Sequence, residues 1–134
     1  MIFVDTSFLL AVLNPRDALH SRAQAWAETI TEPLLITEYV VWELVNGLSM
    51  PVDRPKAYSA VQEIQTAPEW EWISASSSLF EAGMRLHRER GDKEWSLTDC
   101  ISFLVMQQRH LRRALTYDHH FEQASYEALL RRDP

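Results

Sequence analysis

The chain has 134 residues, enough for one hydrophobic core and too few for two comfortable domains, so residues 1–134 are read as one domain. An apolar share of 46%, a charged share of 24% and only 3 Gly and 6 Pro exclude a disordered or low-complexity chain. The net charge of -6, from 13 basic and 19 acidic residues, argues against indiscriminate binding to nucleic acid.

That balance does not exclude chemistry on a nucleic acid, because acids gathered in one metal site overstate the negative charge of the remaining surface. The basic residues are bunched as Arg85, Arg88 and Arg90, then Arg109, Arg112 and Arg113, then Arg131 and Arg132. Solvated helix ends are the better account of any one bunch. The lone Cys100 can make no internal disulfide. The opening MIFVDTSFLL has no basic lead and is interrupted by Asp5, unlike a signal peptide. No run reaches the roughly 20 apolar residues of a membrane span, so a cytoplasmic location and no membrane partner are expected.

Ile2–Asp5 reads as a short buried strand, followed by a helix over Phe8–Leu13 that Asn14-Pro15 stops. Leu19, Ala23, Trp26, Ala27 and Ile30 follow helical spacing up to Pro33. Leu34–Thr37 is a second buried strand, and Glu38–Met50 returns to helical rhythm through Val40, Val41, Leu44, Val45 and Leu48. Asp53–Thr66 predicts a further helix with Ala57, Tyr58, Val61 and Ile64 inward. Glu69–Ser74 alternates acid and aromatic, as a strand near a sheet edge does. Ser77–Arg90 is helical, Gly91–Trp95 is a polar connection, and Ser96–Asp99 opens another helix. Ala114–Tyr117 is a strand running into Asp118, His119–Ala124 makes one or two turns, and Tyr126–Leu130 predicts a last short strand. Strands alternating with helices imply crossover connections, hence a mainly parallel sheet in a three-layer α/β/α sandwich.

Open parallel sheets build sites beyond the carboxyl ends of their strands. Asp5 and Asp118 fall at such ends, while Glu43 and Asp99 fall early in helices that can face the same rim. Each acid also has an ordinary explanation. Asp5 or Thr6 can cap a helix, Ser96 with Asp99 resembles a capping box, and Asp118 can make an Asx-turn or a cap. Glu43 can be a solvated helix residue, although Val40, Val41, Trp42, Leu44 and Val45 around it suggest little exposed surface. Two carboxylates about 4 Å apart repel by roughly 4 kcal/mol at an effective dielectric of 20. Convergence of the four therefore calls for a protonated acid or a divalent cation. All-oxygen ligation suits Mg²⁺ or Mn²⁺ rather than Zn²⁺.

At these residues the sequence resembles the PIN-domain ribonucleases, and in particular the toxins of VapBC-type toxin–antitoxin pairs. IFVDTSFLLAVLN, TEYVVWELVNGL, WSLTDCISFLVM and LTYDHHFEQ are similar to the family's four blocks, with Asp5, Glu43, Asp99 and Asp118 at the acidic positions. The blocks fall in the family's order across nearly the whole chain, and only Met50–Trp72 carries no motif. The resemblance implies about five parallel strands with the N-terminal one central, an Mg²⁺-dependent endoribonuclease, a cognate antitoxin, and a homodimer. It implies Asp5 and Asp99 as direct metal ligands and Asp118 as a ligand, directly or through water. Glu43 would orient the attacking water or act as base, with Thr6 and Thr116 as supporting hydroxyls. The expected products carry a 5′-phosphate and a 3′-hydroxyl, so preference for RNA must come from shape and contacts.

His119 and His120 beside Asp118 invite a histidine acid–base scheme, but closing a turn or touching phosphate accounts for them. His20, His87 and His110 read as helix-surface residues, and Cys100 as an inert core thiol. Trp26, Trp42, Trp70 and Trp72 are expected to pack, leaving Trp95 as the tryptophan to test for base stacking. One rival is an aspartyl phosphatase or phosphotransferase, suggested by FVDTS after the first strand. It lacks a second acid at Ser7, and the only lysines, Lys56 and Lys93, lie in polar stretches. The other rival is a non-catalytic PIN-like module for protein or RNA binding, which the loss of an acid would signal.

Overall fold

The computed structural model describes residues 1–134. Ile2–Val4 forms β1, and all three side chains are fully buried. A strand apolar on both faces belongs inside a parallel sheet. Accordingly β1 pairs in parallel with β2 (Leu34–Thr37) on one side and β4 (Arg113–Leu115) on the other. Phe3 sits opposite Leu35 and Ala114. β3 (Trp70–Ile73) and β5 (Glu127–Ala128) extend the sheet to five strands in the order β3-β2-β1-β4-β5, every neighbour parallel. The half-buried Trp70–Ile73 takes an edge, as its alternation predicts.

Seven α-helices make the crossovers: α1 (Thr6–Leu13), α2 (His20–Thr29), α3 (Glu38–Gly47), α4 (Arg54–Thr66), α5 (Ser77–Glu89), α6 (Leu97–Gln108) and α7 (His119–Gln123). The chain travels outward from β1 to β3 through α1–α4, then crosses back through α5 and α6 to β4. Right-handed crossovers in opposite directions place α1–α4 on one face and α5–α7 on the other. The three-layer sandwich follows. Its direction reverses beside β1, which opens a crevice beyond the carboxyl ends of β1 and β4.

The core is one cluster of 28 buried residues. On the α6 side Phe103 meets Trp95 and Phe121 edge-on, each at 4.9 Å between centroids, and Phe121 reaches Phe3 of β1 at 6.2 Å. Each such ring contributes about 2–3 kcal/mol by burial, so this stack fixes α6 and α7 against the sheet.

Several sequence expectations need correction. Trp42 is 54% exposed and only meets Tyr39 edge-on at 5.6 Å, because α3 turns Tyr39, Val40, Val41 and Leu44 inward and Trp42 falls off that arc. Tyr58 is 56% exposed for the same reason, since α4 buries Ala57 and Ile64 alone. Trp95 is not a surface aromatic: it is 6% exposed and its Nε1 donates to Gln123 Oε1 at 2.9 Å. The last strand contracts to Glu127–Ala128, and a 3₁₀ turn over Leu129–Arg131 lets Leu130 N–H reach Thr116 O at 3.1 Å. The helix from Glu38 ends at Gly47 rather than Met50.

Helix α5 packs on α6 through Gly83, its one buried residue. A Cβ there would lie 2.5 Å from Ile101 Cγ1, the branch of a side chain that is itself 1% exposed. Gly83→Ala is expected to lower stability by about 1–2 kcal/mol, overpacking outweighing the gain in helix propensity. Urea unfolding checks this, and an unchanged or raised midpoint would refute the close approach.

Candidate active site

Asp5 follows β1 directly and is 7% exposed. Its Oδ2 accepts from Thr116 Oγ1 at 2.8 Å and from Ser7 Oγ at 3.2 Å. Thr116 follows β4, and its Oγ1 accepts in turn from Asp118 N–H at 3.0 Å. Ser7 Oγ takes Tyr117 N–H at 3.1 Å. Small hydroxyls therefore lace the ends of two adjacent strands together around one buried carboxylate.

The other acids arrive from separate elements. Thr37 at the end of β2 caps α3 through Val40 N–H at 3.2 Å, which starts the helix that carries Glu43. Glu43 Oε1 then accepts from Thr6 Oγ1 at 2.8 Å. Asp99 closes a capping box at the start of α6: its amide donates to Ser96 Oγ and its Oδ2 accepts from Ser96 N–H, both at 3.0 Å. Asp118 caps α7, its Oδ1 accepting from His120 N–H at 2.9 Å. The capping explanations for Asp99 and Asp118 thus hold, and the same caps aim both carboxylates along the rim.

His120 joins them. Its ring Nδ1 lies 3.0 Å from Asp99 Oδ2 and 3.3 Å from Asp118 Oδ1, and the side chain is 18% exposed. Ligand atoms of Asp118, His119 and His120 lie within 4.8 Å of one another, a spacing that can hold a metal ion. The backbone of His120 closes the turn at Asp118, as expected, and its ring in addition reaches Asp99, which was not expected. The available signal was the Asp-x-His spacing, which folds the ring back over the cap. His119 is mostly exposed, with Nδ1 3.8 Å from Asp118 Oδ1. His20 is half-buried rather than on the surface, its Nδ1 2.7 Å from Ala11 O. Cys100 is buried, and that burial pushes its thiol pKa up, as an inert core thiol requires.

The electrostatics follow from burial. Loss of water pushes the Asp5 carboxyl from 3.8 up to about 6; the Thr116 hydroxyl and Thr6 amide oppose the shift, and the charges of Asp99 and Glu43 add to it. Burial raises Asp99 also, with Asp118 pushing the same way and the Ser96 amide and His120 opposing. Asp5 thus feels the charges of Asp99 and Glu43, and Asp99 feels that of Asp118, across the cleft. On Glu43, Asp99 and Asp118 the hydrogen bonds fall on a single oxygen: Oε1, Oδ2 and Oδ1 respectively. The opposite oxygen of each remains for another ligand. A hard divalent cation fits this donor set, which is oxygen-rich, partly desolvated and more negative than the fold alone can offset.

A parallel α/β/α sheet with an acidic crevice at its switch point defines a protein that can carry a hard cation at the carboxyl ends of its strands. The chain belongs to the PIN domain family, which matches residues 2–126. It is 30% identical over 131 residues to the 23S rRNA-specific endonuclease VapC20 of Mycobacterium tuberculosis, covering 94% of this chain and 95% of the relative. The crystal structure of that VapC20, a sarcin–ricin loop cleaving toxin, superposes with a TM-score of 0.85 at 25% identity, covering 94% of this chain and 96% of the other. FitAcB of Neisseria gonorrhoeae shares the fold with a TM-score of 0.67 at 20% identity, covering 96% and 95% of the two chains. A toxin–antitoxin complex of Klebsiella pneumoniae gives a TM-score of 0.64 at 18% identity, covering 89% and 88%.

The raised Asp5 pKa has a consequence for stability. Between pH 3.8 and about 6 the native state holds a proton that the unfolded chain has released, so stability falls as pH rises through that window. Above it the fold carries the whole cost, on the order of 3 kcal/mol. In EDTA at pH 7.5, Asp5→Asn is expected to melt several degrees above the parent, with the gap closing below about pH 4. Calorimetry across pH tests this; equal melting temperatures at pH 7.5 would remove the electrostatic account.

Proposed function

We propose that this chain, acting as one domain, is a Mg²⁺-dependent endoribonuclease and the toxin of a toxin–antitoxin pair. One observation supports the reading: Thr6 holds Glu43 and Thr116 holds Asp5 from neighbouring elements, Asp118 N–H rests on Thr116, local caps hold Asp99 and Asp118, and the charges couple Asp5 to Glu43 and Asp99, and Asp99 to Asp118. The family match and the printed activity of VapC20 support it. The phosphatase rival fails on the same ground, since Ser7 serves as a hydrogen-bond bridge where a second acid is needed.

In this reading Asp5 and Asp99 hold the ion directly, and Asp118 completes the set directly or through water. When bound, the Mg²⁺ supplies Lewis acidity and charge for the phosphate oxygens, a role Mn²⁺ can share. Glu43, held by Thr6, orients the attacking water and takes its proton. Thr116 keeps the Asp5 carboxylate aimed while Tyr117 N–H is fixed on Ser7. The ribose 2′-OH takes no part, so cleavage leaves a 5′-phosphate and a 3′-hydroxyl.

The substrate in this reading is a structured RNA loop, and the sarcin–ricin loop named for VapC20 is the first to try. The partner is a cognate antitoxin, supported by the complexes among the structural neighbours. RNA hydrolysis of this kind belongs in the cytoplasm, and no helix of the chain is long and apolar enough to cross a membrane. A homodimer belongs to the same reading, supported by Trp42, Phe80 and Met84 at the surface. Light scattering is expected to return about twice the 15.6 kDa of one chain, and a single-chain mass at micromolar concentration would remove the dimer.

Asp99→Asn and Glu43→Gln are each expected to lower kcat on an RNA loop by about 100-fold or more. EDTA is expected to abolish cleavage and Mg²⁺ to restore it, with 5′-phosphate ends on the products. Full activity in Asp99→Asn, or cleavage in EDTA, would overturn the assignment.

A further inference from the structure

We infer that His120 is a positioning residue: its Nδ1–H clamps Asp99 to Asp118, so that the oxygens opposite face a common cation. The inference rests on the nuclease reading of the site. Asp99 comes from the start of α6 and Asp118 from the end of the β4 segment, and no hydrogen bond joins the two directly. The charge of Asp118 raises the cost of ionising Asp99 in a partly buried place. The one side-chain donor between them is His120 Nδ1, hydrogen-bonded to Asp99 Oδ2 at 3.0 Å and in electrostatic contact with Asp118 Oδ1 at 3.3 Å.

Hydrogen bonding fixes the direction of that contact. Asp99 Oδ2 already accepts from Ser96 N–H and Asp118 Oδ1 already accepts from His120 N–H. Both oxygens are therefore acceptors, and the ring nitrogen is the donor, which assigns the Nδ1–H tautomer. The ring is held in place by its own backbone, because the Asp118 cap engages the His120 amide. Its neighbour His119 packs against it at 4.5 Å between centroids. The nitrogen thus meets the oxygens the fold has already anchored, and Asp99 Oδ1 and Asp118 Oδ2 are left to the ion. This is the geometry of a group that orients ligands rather than of a ligand.

The test uses the full chain with Mn²⁺ as probe and three variants. An Asn amide nitrogen can reach the place of Nδ1, whereas a Gln amide reaches the place of Nε2. His120→Asn is expected to bind Mn²⁺ within about 3-fold of the parent, and His120→Gln and His120→Ala about 10-fold or more weaker, the range for partners that orient metal ligands. Calorimetric titration reads the affinity, and circular dichroism establishes that each variant is folded. At saturating Mn²⁺ the KM for RNA is expected to stay unchanged. Electron spin echo spectra of the Mn²⁺-loaded parent should show no nitrogen coupling from His120. Equal Mn²⁺ affinity in all four proteins would overturn the inference, as would His120→Asn failing as badly as His120→Ala. A nitrogen coupling lost in His120→Gln would overturn it too, making His120 a ligand. If the parent binds no Mn²⁺ and cleaves no RNA, the nuclease reading itself fails; a parent that does both while the variants bind normally sinks only the clamp.

Discussion

The Thr116 hydroxyl on the Asp5 carboxylate, at 2.8 Å, is the contact on which the rest of the site depends. It crosses from the end of β4 to the end of β1, the two strands that flank the switch in chain direction. Ser7 adds a second hydroxyl to the same oxygen and fixes the Tyr117 amide. The Asp118 amide rests on Thr116, so the placement of Asp118 is inherited from the placement of Asp5. His120 then hangs from Asp118 and reaches Asp99. A buried carboxylate needs such donors, because an isolated charge removed from water costs several kcal/mol.

Those donors do not fully offset the cost. Asp5 stays well above the usual carboxylate range even with the Thr116 and Thr6 bonds in place, so the site stores unfavourable electrostatic energy that the core must carry. The central strand and the ring stack of Phe3, Phe121, Phe103 and Trp95 lie immediately below the rim and supply that support. Stability and the site are thereby separated into layers, apolar beneath and acidic above.

The surface charge supports the same division. Part of each basic cluster is paired: Arg90 with Asp92, Arg109 with Glu71, Arg113 with Glu32, Arg131 with Glu122 and Arg132 with Glu127. Exposed pairs of this kind contribute little, so they shape the field more than they hold the fold. Arg131 also lies over the Tyr117 ring at 4.7 Å, beside the rim.

The sequence alone determined the alternation of elements, the burial of β1 and the edge position of β3, and it marked four acids as candidates. These are local or pattern properties: a fully apolar triplet, an acid–aromatic alternation, and acids placed next to strand ends or helix starts. Where burial depended on which arc of a helix meets its neighbour, as for Trp42 and Tyr58, the tertiary structure decided, since a period of 3.6 leaves the edges of a face undefined, and it likewise decided the burial of Trp95 in the connection before α6. It also decided the surroundings of His120: the Asp-x-His spacing brings the ring to Asp118, but only packing brings Asp99, 19 residues earlier, against it. Helix caps and strand ends are written in short stretches of chain, whereas a charge balance among residues brought from four elements exists only once those elements have packed.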